Sequence, residues 1–115
     1  MRATITVPRV EVGGEDVPDD TLAWWECRLA LDFERFERVE GMAMFLSGPE
    51  SVLEEVPVLF YSVRERAGMN EETFIGQVRH LLGRAEVAFG EGRVHACLYL
   101  EENVAPGRSE EGGGT

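Results

Sequence analysis

A chain of 115 residues, 43% hydrophobic and 9% aromatic, has room for one domain with a modest core and is not a disordered composition. Its net charge of −11, with all 11 cations arginine, argues against binding nucleic acid or an anionic membrane surface, both of which select cationic patches. No apolar run approaches the roughly 20 residues of a membrane span, MRATITVPRV lacks the apolar centre of a secretory signal, and Cys27 and Cys97 alone make no disulfide framework, so a reducing cytoplasm is expected.

Thr4, Ile5 and Val7 open a β-prone run that Val10 and Val12 continue past Pro8. Pro8 donates nothing to a ladder, which predicts an edge strand or two short pieces. Gly13-Gly14-Glu15-Asp16 and Pro18-Asp19-Asp20 signal turns. Leu22 to Asp32 then reads as a returning strand, because Cys27, Leu29 and Leu31 alternate with Glu26, Arg28 and Ala30. After Asp32 the period changes. Phe33, Phe36 and Val39, set among charges, have helical spacing and predict a first helix from Phe33 to about Leu46, with Asp32 as its cap.

Ser47-Gly48-Pro49 punctuates the chain, and Pro49–Glu55 predicts a second short helix. Pro57–Ala67 predicts a third, apolar nearly all round at VPVLFYSV, as in a central helix or one buried by a second chain. Asn70 is an N-cap candidate for a fourth helix over Glu71–Leu82, with Phe74, Ile75, Val78, Leu81 and Leu82 as its stripe and Gly83 as its stop. Residues 84–102 fit either a helix or a strand, and the helix is preferred. Residues 103–115 have no apolar residue beyond Val104 and Ala105, are rich in Gly and Glu, and are expected to be a disordered tail. The predicted architecture is α+β and mainly helical: an N-terminal β-hairpin and four to five short helices in one domain over 1–102, then the tail.

No reactive constellation stands out. His95 and Cys97 are close but have no further local ligands for a metal. Ser47, Ser51 and Ser62 have no nucleophile motif around them. The glycine pairs lack the Lys and Ser/Thr of a phosphate loop. The expectation is a non-catalytic protein with no cofactor and no metal. The aromatics are the candidate contacts: adjacent Trp24 and Trp25 cannot both face one core, and Leu59, Phe60 and Tyr61 crowd the third predicted helix. These five are the predicted partner-binding residues, and self-association through the same patches makes a homo-oligomer.

The order of elements resembles the small tail assembly chaperones of long-tailed bacteriophages. Leu31, Asp32, Phe33 and Phe36 match that family's strand-to-helix phrase, Leu59–Arg64 its second apolar segment, and Asn70–Leu82 its acidic-capped helix, over about residues 10–102. The resemblance implies a non-catalytic protein in the host cytoplasm that binds and solubilises the tape-measure protein and recruits tail-tube subunits. It also implies a longer frameshifted form, for which Gly112–Gly114 is a slippage candidate. The alternatives are a small acidic inhibitor docking on a basic host enzyme and a minor structural protein of the virion.

Overall fold

The computed structural model describes residues 1–11, 13–47 and 52–99. Its elements run β1 (Arg2–Pro8), α1 (Asp19–Phe33), β2 (Glu37–Ser47), β3 (Val52–Arg64), α2 (Glu71–Phe89) and β4 (His95–Tyr99). The strands form one antiparallel sheet in the order β2-β3-β1-β4. This is the split βαβ, or ferredoxin-like, arrangement. It replaces the predicted hairpin with four to five short helices.

α1, read from its sequence as a strand, is a helix. Trp25, Leu29 and Phe33 recur every four residues and are all buried, whereas Leu31 of the apparent alternation is 62% exposed and Cys27 is exposed. The helical stripe carries the larger apolar surface, and burial rather than alternation decides the conformation. Pro18 precedes the first turn, and Asp19 and Asp20 sit where the helix dipole favours anions. Asp32 is therefore no N-cap. It lies in the last turn, where its carbonyl accepts from Arg66 Nη1 at 3.3 Å.

The first and third predicted helices are the strands β2 and β3, and β3 also takes up residues 52–55 of the second. Phe33, Phe36 and Val39 fall on a helix end, a loop and a strand, so their helical spacing was coincidental. Val39 is 61% exposed. In β3 the crowding of VPVLFYSV reflects burial on both faces, with Val58 and Leu59 both buried. Pro57 is tolerated inside β3 because its carbonyl, which accepts from Arg9 N at 2.9 Å, points to the β1 side. The absent N–H faces that way too, just past the end of β1, and the ladder to β2 loses nothing.

β1 is a central strand rather than an edge, and it pairs with β3 and β4, not with residues 22–32. Pro8 closes it. α2 begins where expected, with Asn70 Oδ1 accepting from Thr73 N at 2.8 Å. It runs through Gly83 to Phe89 because Ala85 and Phe89 extend the buried stripe. The preferred helical reading of 84–102 is thus half right: a helix to Phe89, then Gly90 at φ 112°, then β4. Residues 103–115 lie outside the described residues, so the tail expectation does too.

Both helices cover one face of the sheet. Ala3, Ile5 and Val7 of β1 alternate inward with Leu59, Tyr61 and Val63 of β3 against Trp25, Leu29, Phe74, Val78 and Leu81. The Trp25 ring meets Tyr61 and Phe89 edge-on at 6.0 and 6.1 Å. On the other face the β2–β3 hairpin curls. Two strands lie between β2 and β4, about 14 Å in a flat sheet, yet the Phe45 ring stacks on His95 at 5.2 Å. Gly41 permits the curl, since a Cβ there would stand 2.7 Å from the Phe60 ring.

Candidate functional site

The start of β1, the end of β3 and the α1–β2 connection converge on a cleft of about 650 Å³. Phe33 and Phe36 supply its apolar walls. Arg2, Arg35, Arg64 and Arg66 line it together with Glu34, Glu37, Glu65 and Ser62. In a chain of net charge −11, four arginines facing three glutamates make this a local reversal of the field.

Several of these groups are held in place. The N-terminal ammonium donates to Glu65 Oε1 at 2.6 Å. Arg66 reaches Glu34 Oε2 at 3.5 Å while bonding the Asp32 carbonyl. The Arg2 guanidinium lies 5.4 Å from the centroid of the Tyr99 ring, and its buried Nε has no partner among the described residues. Glu34 ends α1 at φ 72°, ψ −40°, a conformation that costs a side-chain-bearing residue energy. Mixed charge, ring walls and an unmet buried donor give the cleft groups that can meet both anions and cations beside an apolar surface.

Behind Phe36 lies a second polar unit. The Tyr61 hydroxyl and Arg38 Nη1 both donate to Glu26 Oε2, at 2.7 and 2.6 Å. Burial, and then the Glu26 carboxylate, push the Tyr61 phenol well above its usual 10.0, against the opposing pull of Arg38. The Phe36 ring sits edge-on to Tyr61 at 5.5 Å, so this unit fixes one wall of the cleft.

The five sequence-predicted contacts separate. Trp25, Leu59 and Tyr61 are buried in the core. Phe60 is half-buried on the open face beside Gly41. Trp24 is half-buried in a shallow, mostly apolar groove of about 460 Å³ between α1 and α2, with Arg84 5.9 Å from its ring centroid. The cleft residues went unrecognised because they come from three distant segments and form no local motif. Four of the 11 arginines meeting there was the one signal, and only the topology exposes it. Among the described residues no group of three or more His, Cys, Asp or Glu could hold a metal, and no helix is long and apolar enough to cross a membrane.

No family model matches the chain, and no curated protein does. Solved structures do. A phage SAM lyase in complex with S-methyl-5'-thioadenosine superposes with a TM-score of 0.67 at 13% identity, over 83% of this chain and 76% of that one. A phage SAM lyase in its apo state gives 0.65 at 17% identity, over 83% and 75%. The chain shares its fold with phage SAM lyase. At these identities the likeness concerns fold alone. It overturns the tail-assembly-chaperone reading, which rested on a mainly helical order of elements that the chain does not have, and the tape-measure and tail-tube assignments fall with it. The fold is also one that an enzyme uses, which counts against the expectation of a non-catalytic protein.

Proposed function

We propose that the chain is an enzyme acting on an S-adenosyl sulfonium compound, with the Arg2–Arg66 cleft as its site. The observation that carries this reading is the fold likeness to phage SAM lyase across 83% of the chain, and the mixed-charge lining of the cleft supports it. S-methyl-5'-thioadenosine is S-adenosylmethionine without its four-carbon amino-acid arm. A lyase reaction leading to it breaks the bond from sulfur to the arm's γ-carbon as the arm's own carboxylate oxygen bonds to that carbon and closes a lactone, and the sulfur keeps the bonding pair and leaves as a neutral thioether.

In this chain, the half-buried Phe36 would pack against the base. Glu34 and Glu37 would attract the sulfonium and the ribose hydroxyls, and the arginines would orient the carboxylate of the arm. The test is incubation of the full chain with S-adenosylmethionine and chromatographic detection of S-methyl-5'-thioadenosine. Accumulation that is lost in Arg35→Ala and Glu37→Ala is expected. Absence of both turnover and calorimetric binding of S-methyl-5'-thioadenosine overturns the reading.

A second reading, a small acidic inhibitor of a basic enzyme, is favoured by the net charge of −11. It predicts capture of a basic partner with affinity that collapses as salt rises.

A further inference from the structure

Three residues form a row across the sheet at the cleft. Arg2 lies opposite Tyr99 on β4 and opposite Arg64 on β3. Directly opposed side chains share a face with Cβ atoms about 5 Å apart, and like charges set so repel. Arg64 has an interaction of its own. Arg2 is different. It is half-buried, and its guanidinium carbon stands 5.4 Å from the centroid of the Tyr99 ring. Among the described residues it has neither an ion pair nor a hydrogen bond, and its buried Nε has no partner.

The other cleft arginines are less suited to recognise an anion. Arg66 already reaches Glu34 Oε2 and the Asp32 carbonyl. Arg35 is exposed in the connection between α1 and β2. Arg2 instead sits on a central strand, and an aromatic face restricts its side chain before any ligand arrives.

We propose that Arg2, stacked on Tyr99 and charged alongside Arg64, reads the carboxylate of an α-amino-acid arm and makes the cleft selective for ligands that carry one. The planar fork of a guanidinium matches a carboxylate with two parallel hydrogen bonds. An anion between Arg2 and Arg64 also removes the repulsion that their register imposes. Glu34, Glu37 and Glu65 line the same cleft and disfavour a polyanion such as a di- or triphosphate. A single carboxylate on a carrier that also bears positive charge meets both kinds of wall. The proposal rests on the reading of the cleft as an adenosyl-ligand site and assigns one specificity to one residue within it.

Calorimetric titration of the full chain with three ligands tests it. S-methyl-5'-thioadenosine lacks the arm, S-adenosylhomocysteine carries it on an unreactive neutral sulfur, and the methyl ester of S-adenosylhomocysteine carries it without the carboxylate charge. The wild type is expected to bind the acid at least about tenfold more tightly than the ester. Arg2→Gln should cut that ratio to less than about threefold and leave the affinity for S-methyl-5'-thioadenosine within about twofold. Arg2→Lys keeps the charge without the fork and should fall between. Tyr99→Ala should lower the ratio and Tyr99→Phe should keep it, because the ring rather than the hydroxyl meets Arg2. Arg84→Ala, on α2 outside the cleft, should leave the ratio unchanged and controls for the loss of a positive charge. A wild type that binds acid and ester alike overturns the assignment without touching the adenosyl reading, and so does an Arg2→Gln variant that keeps the wild-type ratio or weakens all three ligands equally. A wild type that binds none of the three overturns both.

Discussion

The Tyr61 hydroxyl donates to Glu26 Oε2 at 2.7 Å, tying the centre of β3 to α1 through an oxygen that also accepts from Arg38. A phenol in the core is thereby given a partner at the core's margin. Tyr61→Phe removes that donor and leaves Glu26 with Arg38. A hydrogen bond to a charged group, partly open to water, makes the expected loss about 1.5 kcal/mol in urea denaturation. A loss below about 0.3 kcal/mol would show that the bond contributes nothing net.

The same phenol sets an alkaline limit. Burial first, and then the Glu26 carboxylate, raise its pKa above the value of 10.0 that the unfolded chain has. Above that pH the unfolded state gives up a proton that the folded state keeps, so the stabilisation present below pH 10 declines as pH rises further. Tyr61→Phe should flatten this decline. In a Tyr99→Phe background, where Tyr61 is the remaining tyrosine, phenolate absorbance should rise together with loss of far-UV signal. Ionisation well before unfolding would contradict the raised pKa.

Gly41 leaves room for the Phe60 ring beneath the curling hairpin, and a Cβ there would approach it to 2.7 Å. Gly41→Ala should destabilise by about 1–2 kcal/mol through overpacking. A double-mutant cycle with Phe60→Ala should recover most of that cost. Additive effects would mean that the ring is not what Gly41 accommodates.

Glu34 holds its backbone at φ 72° while its carboxylate lines the cleft. Glu34→Gly should relieve the strain and raise thermal stability by about 1 kcal/mol. If the carboxylate serves the ligand, the same variant should bind S-methyl-5'-thioadenosine more weakly. Greater stability with unchanged affinity would remove Glu34 from the proposed site.

The two cap candidates should now diverge. Asn70→Ala removes the side-chain acceptor for Thr73 N and should cost about 1 kcal/mol. Asp32→Ala should be neutral or slightly stabilising, because a carboxylate in the last turn of α1 opposes the helix dipole. Chemical denaturation of both variants settles the order.

The sequence by itself determined the start of α2 and its cap, because Asn70, the first-turn acids and the Phe74–Val78–Leu81 stripe are local signals that agree, whereas the run past Gly83 to Phe89 depends on the burial of Ala85 and Phe89. It also marked a strand around Thr4–Val7 and the acidic character of the chain, but not that strand's end at Pro8 or its place at the centre of the sheet. It did not determine α1 or β2. Cys27–Leu29–Leu31 and Phe33–Phe36–Val39 each fit a wrong period over three residues, and only packing against β1 and β3 shows which side chains are buried. The stretch VPVLFYSV is apolar in either conformation, so the partners on both of its faces decide that it is a strand. The cleft was the least legible feature. Arg2, Arg35 and Arg64 are far apart in the chain, and charges gather at one end of a sheet only once the crossovers have placed those segments side by side.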